Sequence, residues 1–286
     1  MAETSAPSHC YVGVDTAGVR LLAGVFSASR QLLGKVKFSP KPERGPRAVI
    51  DRVARCIRDA VDESDLALKD VSGVGLAVPG TVRAEAGLVL SALSLGWENV
   101  PLKEELEQRL QVPVALGNDG NVAALGIYAQ ELESKPRNLV AVFLERPSAV
   151  GRILHGAFAP GPPGASLAPG FQLRPDLKDP AVRNPAKKLR KALLAGDEVA
   201  AKTVHALAQQ AGGFIAQLID QFNPDVLALG GGAVDELKEW LLPVILKQVR
   251  EGGRPESVAD VEIFVSELGK DAAIVGGAVL AAQRFP

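Results

Sequence analysis

Cysteine is scarce: only Cys10 and Cys56 occur in 286 residues. That excludes a disulfide framework, and without any Cys-x-x-Cys or Cys/His cluster a metal centre has no sequence support. A reducing, cytoplasmic setting is the expectation. Aromatics make up only 5% of the chain, so the core must be built from Ala, Val, Leu and Ile. No apolar run approaches the ~18 residues of a membrane span. The polar stretch ahead of Tyr11 lacks the apolar segment of a secretion signal. A charge excess is also missing: 32 Lys+Arg face 33 Asp+Glu, a net charge of −1. Nothing draws the molecule as a whole to nucleic acid or anionic lipid, so neither is an expected partner.

What is present is ordinary globular composition, 47% hydrophobic and 23% charged, in a length that suits one or two domains. The 29 glycines and 20 prolines supply ample turn chemistry. Strands are expected at Tyr11–Val14, Leu21–Phe26 and Leu32–Phe38, separated by turn residues as a meander. From Pro46, Val49, Ile50, Val53, Ile57, Ala60 and Val61 recur at helical spacing. A buried strand at Val71–Val78 runs into Pro79-Gly80. Leu102–Leu110 reads as helix, Val114–Leu116 as strand and Val122–Glu133 as helix. Strands follow at Leu139–Leu144 and Val150–Leu154. Pro160–Pro185, dense in Pro and Gly, reads as irregular loop. Helices at Ala186–Leu194 and Asp197–Phe222, a strand at Val226–Leu229, a helix at Leu237–Val249, a strand at Val261–Phe264 and a small-residue helix at Ala272–Arg284 complete the chain. Strands alternating with helices in two halves predict a mixed α/β fold with a site between the halves.

Three segments have chemical potential. Asp15-Thr-Ala-Gly18-Val-Arg20 is a tight strand–strand turn whose N–H groups can cradle phosphate. Asp15 can hold magnesium through water, and Arg20 can pair with phosphate; the same residues also suit an ordinary turn. Asn118-Asp119-Gly-Asn121 ends a strand and opens a helix. Asp119 there is either a general base or a helix N-cap. Gly230-Gly231-Gly232 offers a flat backbone surface to a nucleotide, or simply a turn of positive φ.

Taken in order, these segments resemble the ROK group of sugar kinases and kinase-related repressors. The resemblance rests on Val12-Gly-Val-Asp15, Gly75-Leu-Ala-Val-Pro-Gly80, Leu95-Gly-Trp97-Glu-Asn-Val-Pro101 and Val112-Pro-Val-Ala-Leu-Gly-Asn118-Asp119-Gly-Asn121. It continues through Asn223-Pro-Asp-Val-Leu-Ala-Leu-Gly230-Gly-Gly232 and Ser266-Glu-Leu-Gly-Lys-Asp-Ala-Ala-Ile-Val-Gly276-Gly. It implies a two-lobed α/β fold of the actin/hexokinase (ribonuclease H-like) type with an interdomain cleft. The expected lobes are residues 1–118 plus 271–286 and residues 119–270. It further implies ATP with Mg2+, a hexose substrate and a homodimer. Asp119 matches the family's catalytic base. Asn118, Ser94 and Gly80 fall at the sugar side, and Asp15, Gly18, Arg20 and Gly230 to Gly232 at the nucleotide side.

The departures from that family bear on activity. The first phosphate turn has Ala17 and Val19 where the family has Gly and Thr, and Ser94 replaces an Asn. Leu144-Glu-Arg-Pro147-Ser stands in place of a glycine-rich turn that grips phosphate. Pro147 has no N–H to donate, and losing one preorganised donor typically costs ~10²–10³ in rate. Pro163-Gly-Ala-Ser-Leu-Ala-Pro-Gly170-Phe lacks the family's sugar-binding Glu and zinc-binding His, and the family's Cys-rich zinc run is absent. His155 and His205 are isolated. No zinc is therefore expected, and the two cysteines are expected to be core thiols. The resulting expectation is a sugar-kinase-like protein whose activity is weak or lost. The alternative is a non-catalytic relative that binds a metabolite or protein. A repressor is not expected, because the stretch before Tyr11 is too short for a helix-turn-helix.

Overall fold

The computed structural model describes residues 9–17, 20–144, 149–158 and 185–286. Among these the chain opens with β1 (Cys10–Asp15), β2 (Leu21–Ser27) and β3 (Leu32–Phe38), followed by helix α1 (Pro46–Asp62) and strand β4 (Val71–Val78). Short strands β5 (Thr81–Arg83), β6 (Leu88–Ala92) and β7 (Trp97–Val100) precede α2 (Leu102–Leu110), β8 (Val114–Asn118) and α3 (Asp119–Gln130). The second half holds β9 (Leu139–Phe143), β10 (Ala149–Leu154), β11 (Ala157–Phe158), α4 (Pro185–Leu194) and α5 (Glu198–Phe222). It ends with β12 (Val226–Gly230), α6 (Gly232–Gly252), α7 (Pro255–Ala259), β13 (Glu262–Val265) and α8 (Ala272–Arg284).

Two lobes are built on two five-stranded mixed sheets, ordered β3-β2-β1-β4-β8 and β11-β10-β9-β12-β13. In the first, β1, β4 and β8 run parallel, so their carboxyl ends lie at one edge. In the second, β9, β12 and β13 do the same. Parallel strands covered on both faces read as continuous apolar runs, and β4, β9 and β12 are buried almost throughout. The apolar stripe of α1 covers one face of the first sheet, with Val53, Ile57 and Val61 joining Val12, Val25 and Leu76. Helices α4, α5 and α6 cover the second sheet on one side. Cys10 and Cys56 are buried, as expected of core thiols. Burial, with a smaller push from Asp59, drives the Cys56 thiol up to about 12.

Between the sheets lie α3 and α8, joined by glycine. A Cβ on Gly276 would stand 1.7 Å from the Val122 carbonyl oxygen, and one on Gly126 2.2 Å from that of Ala272. Gly13 and Gly75 meet the Ile274 and Gly277 carbonyls just as closely. Only glycine lets α8 lie backbone to backbone on β1, β4 and α3 together.

The expected meander, α1, β4 and the long α5 are all present. The small sheet β5-β6-β7 was not expected: its strands are short, and its turns use Gly87 and Gly96 at φ +65° and +64°. Helix α6 starts at Gly232, five residues before the apolar periodicity shows it, and carries Pro243 in its interior. Helix α3 starts three residues early, because its cap lies at Asn118. The Pro/Gly-rich loop expected at 160–185 falls outside the described residues except at its last position.

Candidate active site

The site is assembled from strand ends. Register places Asp15 opposite Ala77, and Val78 opposite Asn118. Asp15, Gly80 and Asn118-Asp119 thus share the carboxyl edge of the first sheet, where ligands bind in open α/β folds. The Asp15 Oδ1 accepts the Ala17 N–H at 2.8 Å. Buried Thr16 anchors the turn, its hydroxyl donating to the Ala77 carbonyl at 2.9 Å. Gly18 and Val19 fall outside the described residues. Arg20 is half-buried at the entry to β2.

Asn118 performs two tasks. Its Oδ1 accepts the N–H groups of Gly120 at 3.1 Å and Asn121 at 3.4 Å, which caps α3. Its Nδ2 donates to the Gly80 carbonyl at 3.1 Å. Gly80, at φ +82°, presses so closely on β6 that a Cβ would sit 2.1 Å from the Ser91 oxygen. Asn118 and Gly80 therefore touch. Ser94 is exposed in the turn that follows β6.

Asp119 occupies the first helical position of α3, not the cap. The N-cap alternative is corrected here: the side chain that spans the first turn belongs to Asn118. Asp119 is half-buried, and its Oδ1 takes the Gly120 N–H at 2.9 Å.

The turn after Asp119 rests directly on the second lobe. A Cβ on Gly120 would lie 2.5 Å from the Val150 oxygen, and one on Gly151 1.9 Å from the Gly120 oxygen. The buried Asn121 Oδ1 accepts the Arg152 N–H at 3.0 Å. Ala149, beside Val150, is opposite Phe143, which is opposite Gly230. Two strand spacings, about 10 Å, thus separate the start of β10 from Gly230. The turn that follows Asp119 therefore rests on the start of β10, which lies beside the carboxyl end of β9.

Gly230 to Gly232 close the second edge. The Leu144 N–H donates to the Gly230 carbonyl at 2.9 Å, and the Ala233 N–H to the Leu144 carbonyl at 3.0 Å. Gly231, at φ +92°, is the N-cap of α6 and brings no side-chain oxygen to the helix start. The segment that replaces the glycine-rich turn, Glu145 to Ser148, lies outside the described residues. So does the Pro163–Phe171 stretch.

Two features were not visible in the sequence. The Glu131 carboxylate at the far end of α3 accepts the Ser266 hydroxyl at 2.6 Å and the Glu267 N–H at 2.7 Å. This ties α3 to the segment that leads from β13 into α8. Asp235, one turn into α6, lies against Gly269, where a Cβ would be 2.9 Å from its Oδ2. Burial pushes its carboxyl up, and Lys270 works against that. Both pairings span more than thirty residues, and no local signal announces them.

Among the described residues no group of three or more His, Cys, Asp or Glu comes together. No helix among them is long and apolar enough to cross a membrane.

The chain is 25% identical over 316 residues to a glucokinase of Halalkalibacterium halodurans, covering 96% of this chain and 95% of that one. It is 27% identical over 321 residues to a glucokinase of Streptomyces coelicolor, covering 96% and 98%. The crystal structure of a ROK family glucokinase from Streptomyces griseus, in complex with glucose and AMPPNP, superposes with a TM-score of 0.77 at 25% identity, covering 96% of this chain and 99% of that one. The ROK family profile matches residues 11–175 and 166–284, so this two-lobed α/β chain belongs to the ROK family, with sugar-kinase-like relatives and an actin/hexokinase-like fold.

Proposed function

We propose that the protein transfers the γ-phosphoryl group of ATP to a hexose hydroxyl, slowly, with Asp119 as general base. One observation carries this reading. Asn118 supplies the helix cap, so the N-cap role does not account for a carboxylate at position 119, which follows the carboxyl end of β8 at the start of the turn that rests on β10. A carboxylate there can take the hydroxyl proton as the oxygen attacks phosphorus. Asn118, Gly80 and Ser94 are the sugar-side groups. Asp15, Gly18, Arg20 and Gly230 to Gly232 are the proposed nucleotide-side groups. The proposed lobes are residues 1–118 with 271–286, and residues 119–270.

Magnesium arrives with the nucleotide. It takes oxygen ligands and usually keeps waters, needing only one or two carboxylates beside the phosphates. Asp15 at the end of β1 fits that donor set. A bound magnesium would neutralise charge on the phosphates. The protein's own residues supply position and electrostatic stabilisation, which carry most of phosphoryl transfer. Slow turnover follows from the residue types in the sequence: Pro147 has no N–H, Glu145 is an anion in the segment that replaces the glycine-rich turn, and Val19 lacks a hydroxyl. Neither histidine nor cysteine is available in a set of four, so zinc is not part of the proposal.

A second reading has one feature in its favour. The losses fall on both the phosphate turn and the sugar-binding Glu, as in a relative that binds its ligand without turnover. Calorimetry with MgATP, with and without a panel of hexoses, separates the two. Binding of both ligands supports the kinase. Binding of a sugar alone supports the non-catalytic relative, and binding of neither contradicts both.

A further inference from the structure

The register of the first sheet reaches beyond Asp15. Asp15 lies opposite Leu22, and Leu22 opposite Lys37. On the other side Asp15 lies opposite Ala77, and Ala77 opposite Gly117. Lys37, Leu22, Asp15, Ala77 and Gly117 therefore form one row across five strands, and directly opposed residues share a face.

Packing identifies that face. Leu22 packs against the cluster that holds Ile274 and Ala278 of α8. A Cβ on Gly117 would meet Val122 of α3 and Leu280 of α8. Lys35, two residues before Lys37 and so on the same side, pairs with Asp271 at 2.8 Å just ahead of α8. The intervening Val36, and Phe38 beyond, pack on the α1 side instead. Lys37 is thus exposed on the face that carries Asp15 and looks toward α8. It is one row nearer the carboxyl edge than Lys35. Two strand spacings, about 10 Å, separate its backbone from that of Asp15. A four-carbon ammonium stem and a phosphate group together bridge such a span. Lys35 has its charge matched by Asp271, whereas Lys37 makes no ion pair among the described residues.

We infer that Lys37 contacts the phosphate tail of the nucleotide, in the row set by Asp15. The inference rests on the kinase reading above. It also gives that reading a missing element. The chain has replaced a glycine-rich phosphate grip by Glu145-Arg-Pro147, and a cation on the opposite lobe restores part of the lost attraction. A lysine ammonium serves as a point charge toward phosphate oxygens without needing the backbone geometry of a glycine turn.

The test is calorimetric titration of the full chain with MgATP, MgADP and adenosine. Lys37→Ala is expected to weaken MgATP about tenfold, MgADP less, and adenosine not at all. Lys37→Arg keeps the charge and should hold MgATP within about threefold of the parent. Lys35→Ala, which removes an exposed ion pair of little energetic weight, should leave all three unchanged. A Lys37→Ala variant that binds MgATP like the parent, or weakens adenosine equally, overturns the inference and leaves the kinase reading standing. A parent protein that binds none of the three overturns both.

Discussion

Replacing Gly276 by alanine tests the glycine seam between α8 and α3, the helix that Asp119 opens. The added methyl would sit 1.7 Å from the Val122 oxygen, 2.7 Å from its carbon and 3.0 Å from the Gly126 nitrogen. A carbon–oxygen contact of ~3.3 Å is the near limit, so α3 and α8 must separate by roughly 1.5 Å. All three opposing atoms are backbone, and α8 has no room to retreat, because Gly277 already lies on Gly75 and Gly13. Overpacking of this kind costs ~1–3 kcal/mol, and the rigid partners put this site near ~3. Against that, alanine is better than glycine in a helix by ~0.5–1 kcal/mol. The net loss of ~2 kcal/mol corresponds to a fall of about 3 °C in Tm at this chain length. Gly213, inside α5, is the internal control: nothing lies within 4 Å of its Cβ position. Gly213→Ala should therefore raise Tm by a degree or more, through helix propensity alone. Scanning calorimetry of the two variants reads both signs. A Gly276→Ala protein that melts with the parent would refute the reasoning.

Other outcomes follow from single contacts. Asn118→Ala should cost ~1 kcal/mol in urea unfolding through loss of the α3 cap, whereas Asp119→Asn should leave the urea midpoint in place. Glu131→Ala should cost ~1–3 kcal/mol, since it strips the buried Ser266 hydroxyl and the Glu267 N–H of their acceptor. Cys56 should resist thiol reagents until the chain unfolds, because the thiolate is the reactive form. The unfolded chain releases that proton first, so the stability from the buried neutral thiol is intact below about pH 9 and drains as pH rises toward about 12. Alkaline melting of Cys56→Ser beside the parent measures this, and identical alkaline slopes would count against it.

The sequence revealed what depends on local pattern. The strand meander, α1, α5 and the strands that lead into Asp15, Asn118 and Gly230 all follow from turn residues and apolar periodicity. Pairings distant in sequence stayed hidden. Gly13, Gly75, Gly126 and Gly276 sit in unremarkable strands and helices, and their purpose appears only when α8 meets three other elements. The same holds for the Glu131–Ser266 tie and the row that sets Lys37 level with Asp15. The small sheet β5-β6-β7 escaped for another reason. Strands of three to five residues, half-buried on mixed faces, give no clean alternation. The cap of α3 needed the structure too, because Asn118 and Asp119 are both good caps and only geometry shows which one caps.

The most direct test of the proposed chemistry is a coupled assay of ADP release from MgATP across a hexose panel, run with the parent and Asp119→Asn. The expected result is hexose-dependent turnover below the ~1–100 per second common to kinases, and none above background in Asp119→Asn, with its melting temperature unchanged. Turnover that survives the loss of the Asp119 carboxylate, or no hexose-dependent turnover in the parent, would contradict the assignment of Asp119 as the base of a working sugar kinase.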